Sequence, residues 1–193
     1  MERKTTRAQF IAVSLKLFQQ KGFKATTMRD IAQALNIEAA TIYNYIKSKQ
    51  ALLDGLLFEI ANRFHEGLSN IESSSYAPVD KIKALVNLNV RLTVEYPYHV
   101  ALLVNDWKHL EEPRRSAFVK NREEYEEMVR QIIQKGIETG SLRSMDLEIA
   151  TYAILSSIRW LFSWYIAHAE EQNPIELEKQ LVDFILKGMK DQS

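Results

Sequence analysis

No stretch of this chain constrains its fold more than Thr27–Lys49, TMRDIAQALNIEAATIYNYIKSK. Its apolar residues Ile31, Leu35, Ile37 and Ile42 are spaced to hold two short helices together across a tight turn. Thr27 is placed to cap the first helix, with Asp30 three residues on, against the positive end of the helix dipole. Asn36 tolerates the left-handed backbone that the turn requires, and the second helix begins near Glu38–Ala39 and ends towards Lys47 and Lys49. Ala32, Ala34, Ala39 and Ala40 are small enough to let the two helices approach closely. The positions left outside, Thr41, Tyr43, Asn44 and Tyr45, are short, polar or aromatic, as on a helix whose outer face fits a groove. The pattern predicts a helix-turn-helix.

The charge distribution agrees with that reading. The whole chain is formally neutral, yet residues 1–50 hold nine Lys and Arg against three Asp and Glu, a net +6 that leaves −6 on the remainder. A basic head on an acidic body implies that the head alone meets a polyanion. At 193 residues the chain is long enough for one or two domains with a sizeable core. It has no Cys, which excludes disulfides and thiolate metal sites and fits a reducing compartment, so a cytoplasmic location is expected. The opening Met-Glu-Arg-Lys lacks the apolar core of a signal peptide. Ile149–Ala169 has the length of a membrane span, but Arg159 lies at its centre, where insertion costs roughly 2.5–3.5 kcal/mol. A helix buried by protein is expected there, with no membrane contact.

The remainder reads as one helix after another. Thr6 and Gln9 have the spacing of a capping box ahead of Ile11, Leu15 and Phe18, with a stop at Lys21-Gly22. Ser48 is placed to cap a long helix carrying Leu52, Leu53, Leu56, Leu57, Ile60 and Phe64, which leaves the basic head without a linker. After a break at Ser73–Pro78, a helix carries Ile82, Leu85, Val86 and Asn89 on one side and ends or kinks at Tyr96-Pro97. A helix with Val100, Leu103, Val104 and Trp107 is expected to stop around Glu112-Pro113, and a longer one tracks from Phe118 up to Gly140. The last two helices, about Asp146–Ala169 and Pro174–Met189, are apolar on more than one side. That excess implies a partner, two helices from each of two chains, or else burial within one chain. With no segment of strand period, the expected fold is all-α with about nine helices.

Thr27-Met28-Arg29-Asp30-Ile31-Ala32, Thr41-Ile42-Tyr43, Lys47-Ser48-Lys49 and Leu52-Leu53 together resemble the N-terminal signature of TetR-type transcriptional regulators. The chain departs from that pattern at Asn36 (usually Gly), Ile46 (usually Phe) and Gln50 (usually acidic), the first two of which preserve the turn and the apolar anchor. The resemblance implies a three-helix DNA-binding domain over residues 1–48 and a helical effector-binding and dimerisation domain over residues 49–193. It implies a homodimer through the last two helices, bound to a near-palindromic double-stranded DNA operator, with no cofactor. Thr27, Tyr43 and Lys49 match positions that contact phosphates, while Arg29, Glu38, Ala39, Ala40, Thr41, Asn44 and Tyr45 match the surface that enters the major groove. Arg29 has the donors to read guanine, and Asn44 the amide to read adenine. Plainer roles stand beside these: Thr27 as a cap, Tyr43 packed on the first helix, Ala39 and Ala40 small only for close packing.

Further along, Leu110–Arg115, Arg122 with Tyr125, Gly136, Gly140, Asp146 and Trp160–Tyr165 are similar to the effector domain of TetR-type repressors of fatty-acid or steroid breakdown, which respond to acyl-CoA thioesters. That likeness implies a small apolar or acyl-CoA-like effector in a tunnel between helices. Candidate walls are Leu103, Trp107, Phe118, Tyr125, Met128, Ile132, Trp160 and Trp164, each of which fits plain core packing as well. An enzyme is not expected. His65, His99, His109 and His168 are scattered, Asp106-x-x-His109 alone cannot complete a metal site, and there is no nucleophile motif or phosphate loop. The remaining rival is a helical ligand-binding or interaction module without DNA contact, against which the basic head counts.

Overall fold

The computed structural model describes residues 6–168 and 173–189, and all regular structure in them is helical. The helices are α1 (Arg7–Lys21), α2 (Met28–Leu35), α3 (Ala39–Ile42), α4 (Lys49–Glu72), α5 (Pro78–Glu95), α6 (Pro97–Asn105), α7 (Arg114–Glu138), α8 (Leu147–Arg159), α9 (Leu161–His168) and α10 (Pro174–Met189). Trp160 alone separates α8 from α9 and keeps right-handed helical backbone, so counting the two together recovers the nine helices expected. Ala169, the expected end of that segment, lies outside the described residues.

The punctuation read from the sequence acts as expected. Thr6 and Gln9 close a reciprocal capping box on α1, and Gly22, at φ 84°, ends it by donating its N–H to the Phe18 carbonyl at 2.8 Å. The Ser48 hydroxyl accepts the Ala51 N–H at 3.0 Å and starts α4. Pro78 opens α5, and Tyr96, held off helical geometry before Pro97, separates α5 from α6. Gly136 of α7 lies so close to Leu142 and Pro78 that a Cβ would have no room there.

Two hydrophobic cores share α4. Its first half puts Leu52, Leu53, Leu56 and Leu57 into the head with Phe10, Phe18, Ile31 and Ile42; its second half puts Ile60, Phe64 and Leu68 into the body with α5, α7, α8 and α10. At 1.5 Å per residue its 24 residues span about 36 Å, so one rigid rod carries both parts. The head core does not stop at α4. Leu102 of α6, Leu110 in the connection between α6 and α7, and Phe118 of α7 belong to it as well, and α6 packs directly on α1.

Two helices end sooner than their pattern implies. The segment expected to run to Glu112 stops at Asn105, and Trp107–His109 forms a 3-10 turn, from which Trp107 stacks on Phe118 (6.0 Å) and His109 on Phe23 (5.7 Å). The second helix of the helix-turn-helix has four α-helical residues, after which Tyr43, Asn44 and Tyr45 continue with tighter i to i−3 hydrogen bonds. Stacking of Tyr45 on Phe10, at 5.6 Å, holds that tighter end against α1.

Candidate nucleic-acid interface and effector pocket

The head presents one polar face built from the start of α2, the whole of α3 and the turns after it. Ile31 and Ile42, both fully buried, clamp α2 and α3, and Asn36 makes the turn between them at φ 54°. Arg29, Glu38, Ala39, Ala40, Tyr43 and Asn44 are exposed on this face, and Thr41 is half-buried. Of the four alanines, only Ala32 is buried against the neighbouring helix; Ala34, Ala39 and Ala40 point outward, which leaves the face low in relief. Tyr43 is 60% exposed, so the packing role falls to Tyr45 instead.

Three residues expected to touch DNA have other work in this structure. Thr27 donates both its hydroxyl (2.6 Å) and its N–H (2.7 Å) to one oxygen of Asp30, and its hydroxyl oxygen accepts the Asp30 N–H at 3.1 Å. Those bonds, with Lys21 at 3.0 Å, hold the Asp30 carboxyl well below the usual carboxylate range, so a carboxylate guards this helix end. Lys49 turns inward: its ammonium donates to the carbonyls of Thr26 (2.8 Å), Phe23 (2.9 Å) and Lys24 (3.3 Å) and lies 4.4 Å from the centre of the Phe23 ring. An ammonium has three donors, and all three are committed to the loop between α1 and α2. Tyr45 is half-buried by its stacking on Phe10. The exposed cations without an ion-pair partner among the described residues include Lys24, Arg29 and Lys47.

In the body, a cavity of about 190 Å³ lies between α4, α5, α6, α7 and α8. Leu103, Trp107, Phe118 and Tyr125 line it as expected. Met128, Ile132, Trp160 and Trp164 do not. Met128 and Ile132 sit one turn and two turns beyond Tyr125 on α7, where Met128 packs against the body core and Ile132 borders a separate cleft beside Pro78, while Trp160 is 41% exposed and pairs edge-on with Trp164 at 5.7 Å. The aromatic pair therefore belongs to the outside of the α8–α9 junction.

Polar lining escaped the sequence reading. Asn89, Thr93, Asn121, Arg122, Glu126 and Arg159 all face the cavity. The signal was present: Asn89 and Thr93 are four apart on an otherwise apolar face of α5, and Arg159 interrupts the apolar run of α8. Arg122 and Arg159 are exposed and form the rim, Arg122 lying 4.8 Å from the Trp107 ring and 3.6 Å from Glu126. Asp106 and His109 sit just behind Trp107, 3.7 Å apart, at the seam with the head; burial raises the Asp106 pKa and lowers that of His109. They acquire no third ligand, and no cluster of metal-binding side chains occurs among the described residues. Nor is any helix among them long and apolar enough to cross a membrane.

A helix-turn-helix head carried on the same rod as a helical body with a cavity is the architecture of a DNA-binding transcriptional regulator. Residues 10–56 match the family described as bacterial regulatory proteins, tetR family, and residues 75–189, more than half of the chain, match the tetracyclin repressor-like C-terminal domain. The chain belongs to the TetR family. Among curated proteins it is 24% identical over 185 residues to the HTH-type transcriptional repressor KstR2 of Rhodococcus jostii, covering 95% of this chain and 90% of that one. The fold superposes on the ketosteroid transcriptional regulator KstR2 of Mycobacterium tuberculosis with a TM-score of 0.90 at 20% identity, over 99% and 98% of the two chains. It also superposes on AibR, solved in complex with isovaleryl coenzyme A and operator DNA, with a TM-score of 0.77 at 18% identity, over 94% and 96%.

Proposed function

We propose that this chain is a cytoplasmic, homodimeric repressor that holds a near-palindromic operator with two heads and releases it when an acyl-CoA thioester fills the body cavity. The observation that carries the reading is the position of α6. Val100, Leu103 and Val104 wall the cavity, while Leu102, between them in sequence, is buried in the core of the head. An acyl group cannot displace that wall without loading the head, and α4, which also borders the cavity through Ala61 and Phe64, carries the same load. Only unequal affinity for the two head spacings shifts the balance, and a small change in spacing is enough because paired half-sites lie about one helical turn apart or a multiple of it.

We keep the division at residue 48, with residues 49–193 as effector and dimerisation domain, although the first half of α4 still packs into the head core. On the head, Arg29, Glu38, Ala39, Ala40, Thr41 and Asn44 form the groove-facing surface in this reading, with the Tyr43 hydroxyl and Lys47 on flanking phosphates. Thr27, Lys49 and Tyr45 hold that surface in shape. In the body, the cavity is comparable with the ~150 Å³ that accepts a benzene, so it suits a short chain or a single ring rather than a long acyl chain. Arg122 and Arg159 at the rim give the phosphates of coenzyme A two cationic partners. The repressor names of the curated relatives and the thioester in AibR support the same assignment. For the dimer, α8 and α10 border a groove of about 840 Å³ and leave Ile149 (71%), Phe184 (71%) and Ile175 (76%) exposed, apolar area that a four-helix interface would cover.

Selection from a random duplex library, then anisotropy on the enriched duplex, tests this directly. A two-fold symmetric site, bound by a dimer and weakened at least tenfold by a saturating short-chain acyl-CoA, is expected. Unchanged operator affinity with every thioester in the series would refute effector release, and failure to enrich any duplex would refute operator binding.

A further inference from the structure

Three polar side chains, more buried than the arginines of the rim, line the body cavity, and their hydrogen-bonding capacity is mostly unspent. Asn89 and Thr93 project from the same face of α5, and Tyr125 reaches across from α7, its ring edge-on to Phe64 at 6.4 Å. Asn89 spends one amide hydrogen on the Leu85 carbonyl (2.8 Å) and offers the other to the Tyr125 oxygen at a long 3.4 Å. The Tyr125 hydroxyl proton, the Asn89 carbonyl oxygen and the Thr93 hydroxyl have no partner among the described residues, and Thr93 is only 4% exposed. Each keeps contact with the cavity, where water can serve it, so a ligand that displaces that water without replacing its hydrogen bonds is penalised by about 1–3 kcal/mol per group. Their neighbours Ala61, Phe64 and Val100 are apolar. The unspent donors converge on one small volume, which is the arrangement that receives a carbonyl or hydroxyl oxygen.

We infer that Tyr125, Thr93 and Asn89 form an oxygen-recognising subsite, so that the effector carries a keto or hydroxyl oxygen at the buried end of its acyl group rather than a plain hydrocarbon. This rests on the effector-pocket reading above and narrows it. An oxygen acceptor takes the Tyr125 and Thr93 hydroxyl protons, and a hydroxyl on the ligand also satisfies the Asn89 carbonyl. Burial pushes the Tyr125 pKa up to about 12, so the phenol stays a neutral donor throughout the physiological range. A saturated acyl group fills the cavity but leaves those groups stripped of water and unpaired, and is discriminated against for that reason.

The test is isothermal titration of the full chain with hexanoyl-CoA and 5-oxohexanoyl-CoA, and with the free acids hexanoate and 5-oxohexanoate. The oxo compound of each pair is expected to bind at least tenfold more tightly. Tyr125→Phe and Thr93→Val, both close in shape, are each expected to shrink that preference to about threefold or less while hexanoyl-CoA affinity holds or rises. Equal binding of the paired compounds, or a preference that survives both substitutions, overturns the subsite. If neither thioester binds but 5-oxohexanoate outcompetes hexanoate, the subsite stands and the coenzyme A assignment falls. If the thioesters bind without an oxo preference, the assignment stands and the subsite falls.

Discussion

Replacing Lys49 by Met separates two physically different roles for the same residue. As a phosphate contact, Lys49 would add to DNA affinity and nothing to the fold. In the structure its ammonium instead ties together three carbonyls of the α1–α2 loop at 2.8, 2.9 and 3.3 Å. Met keeps the length and apolar stem but removes the charge and the donors. Charge-assisted bonds contribute about 1.5–3 kcal/mol each, but this site is half-buried and water can rehydrate the freed carbonyls, so the three together amount to about 2 kcal/mol. The cation over the Phe23 ring, at 4.4 Å, adds about 0.5 kcal/mol. For a chain of 193 residues a loss of about 2.5 kcal/mol lowers Tm by about 5–10 °C. Calorimetry of Lys49→Met should therefore show that drop, while the salt dependence of DNA binding by the folded protein keeps its slope. Lys47→Met, at an exposed residue with no ion-pair partner among the described residues, should do the reverse: Tm unchanged and the slope of log K against log salt smaller by about 0.9 for each phosphate lost. An unaltered Tm for Lys49→Met together with a reduced slope would refute the buttress argument and restore the phosphate contact.

Asn36 sits at φ 54°, so Asn36→Ala should lose about 1 kcal/mol in urea unfolding while Asn36→Gly stays near neutral. Burial lowers the pKa of His99 and of His109 below the ordinary 6.5, so below that pH the unfolded chain takes up protons that the folded chain resists. Their contribution is whole above about pH 6.5 and is lost as pH falls through the depressed folded values; the urea midpoint should drop between pH 7.5 and 5.5, and less so in a His99→Gln, His109→Gln double variant. Asp106, raised above its ordinary 3.8 by burial, acts with the opposite sign, so it opposes the histidine effect wherever it titrates. Phe184→Glu places a charge on an apolar surface that is 71% exposed, and under the proposed α8–α10 interface light scattering should find a dimer for the native chain and a monomer for the variant, with far-ultraviolet circular dichroism unchanged. A native-like dimer from that variant would move the interface elsewhere.

Much of the architecture was determined by the sequence alone, because its signals are local. A capping box needs only two residues three apart, and a left-handed turn needs a residue that tolerates it. Thr6 with Gln9, Thr27 with Asp30, Asn36, Ser48 and Pro78 accordingly act where their spacing places them. The apolar periods of α4 and α5 likewise foretold which faces are buried. What the tertiary structure decided is how shared resources are divided. The three donors of Lys49 could serve a phosphate or three carbonyls, and the choice depends on a loop that lies some twenty-five residues back in the chain. Met128, Ile132, Trp160 and Trp164 have the same apolar character as Phe118 and Tyr125, yet only the packing of five helices determines which side chains border the cavity between them. The same packing brings Asn89, Thr93 and Arg159 to one cavity, since polar residues on separate apolar stripes meet only when their helices pack around the same space.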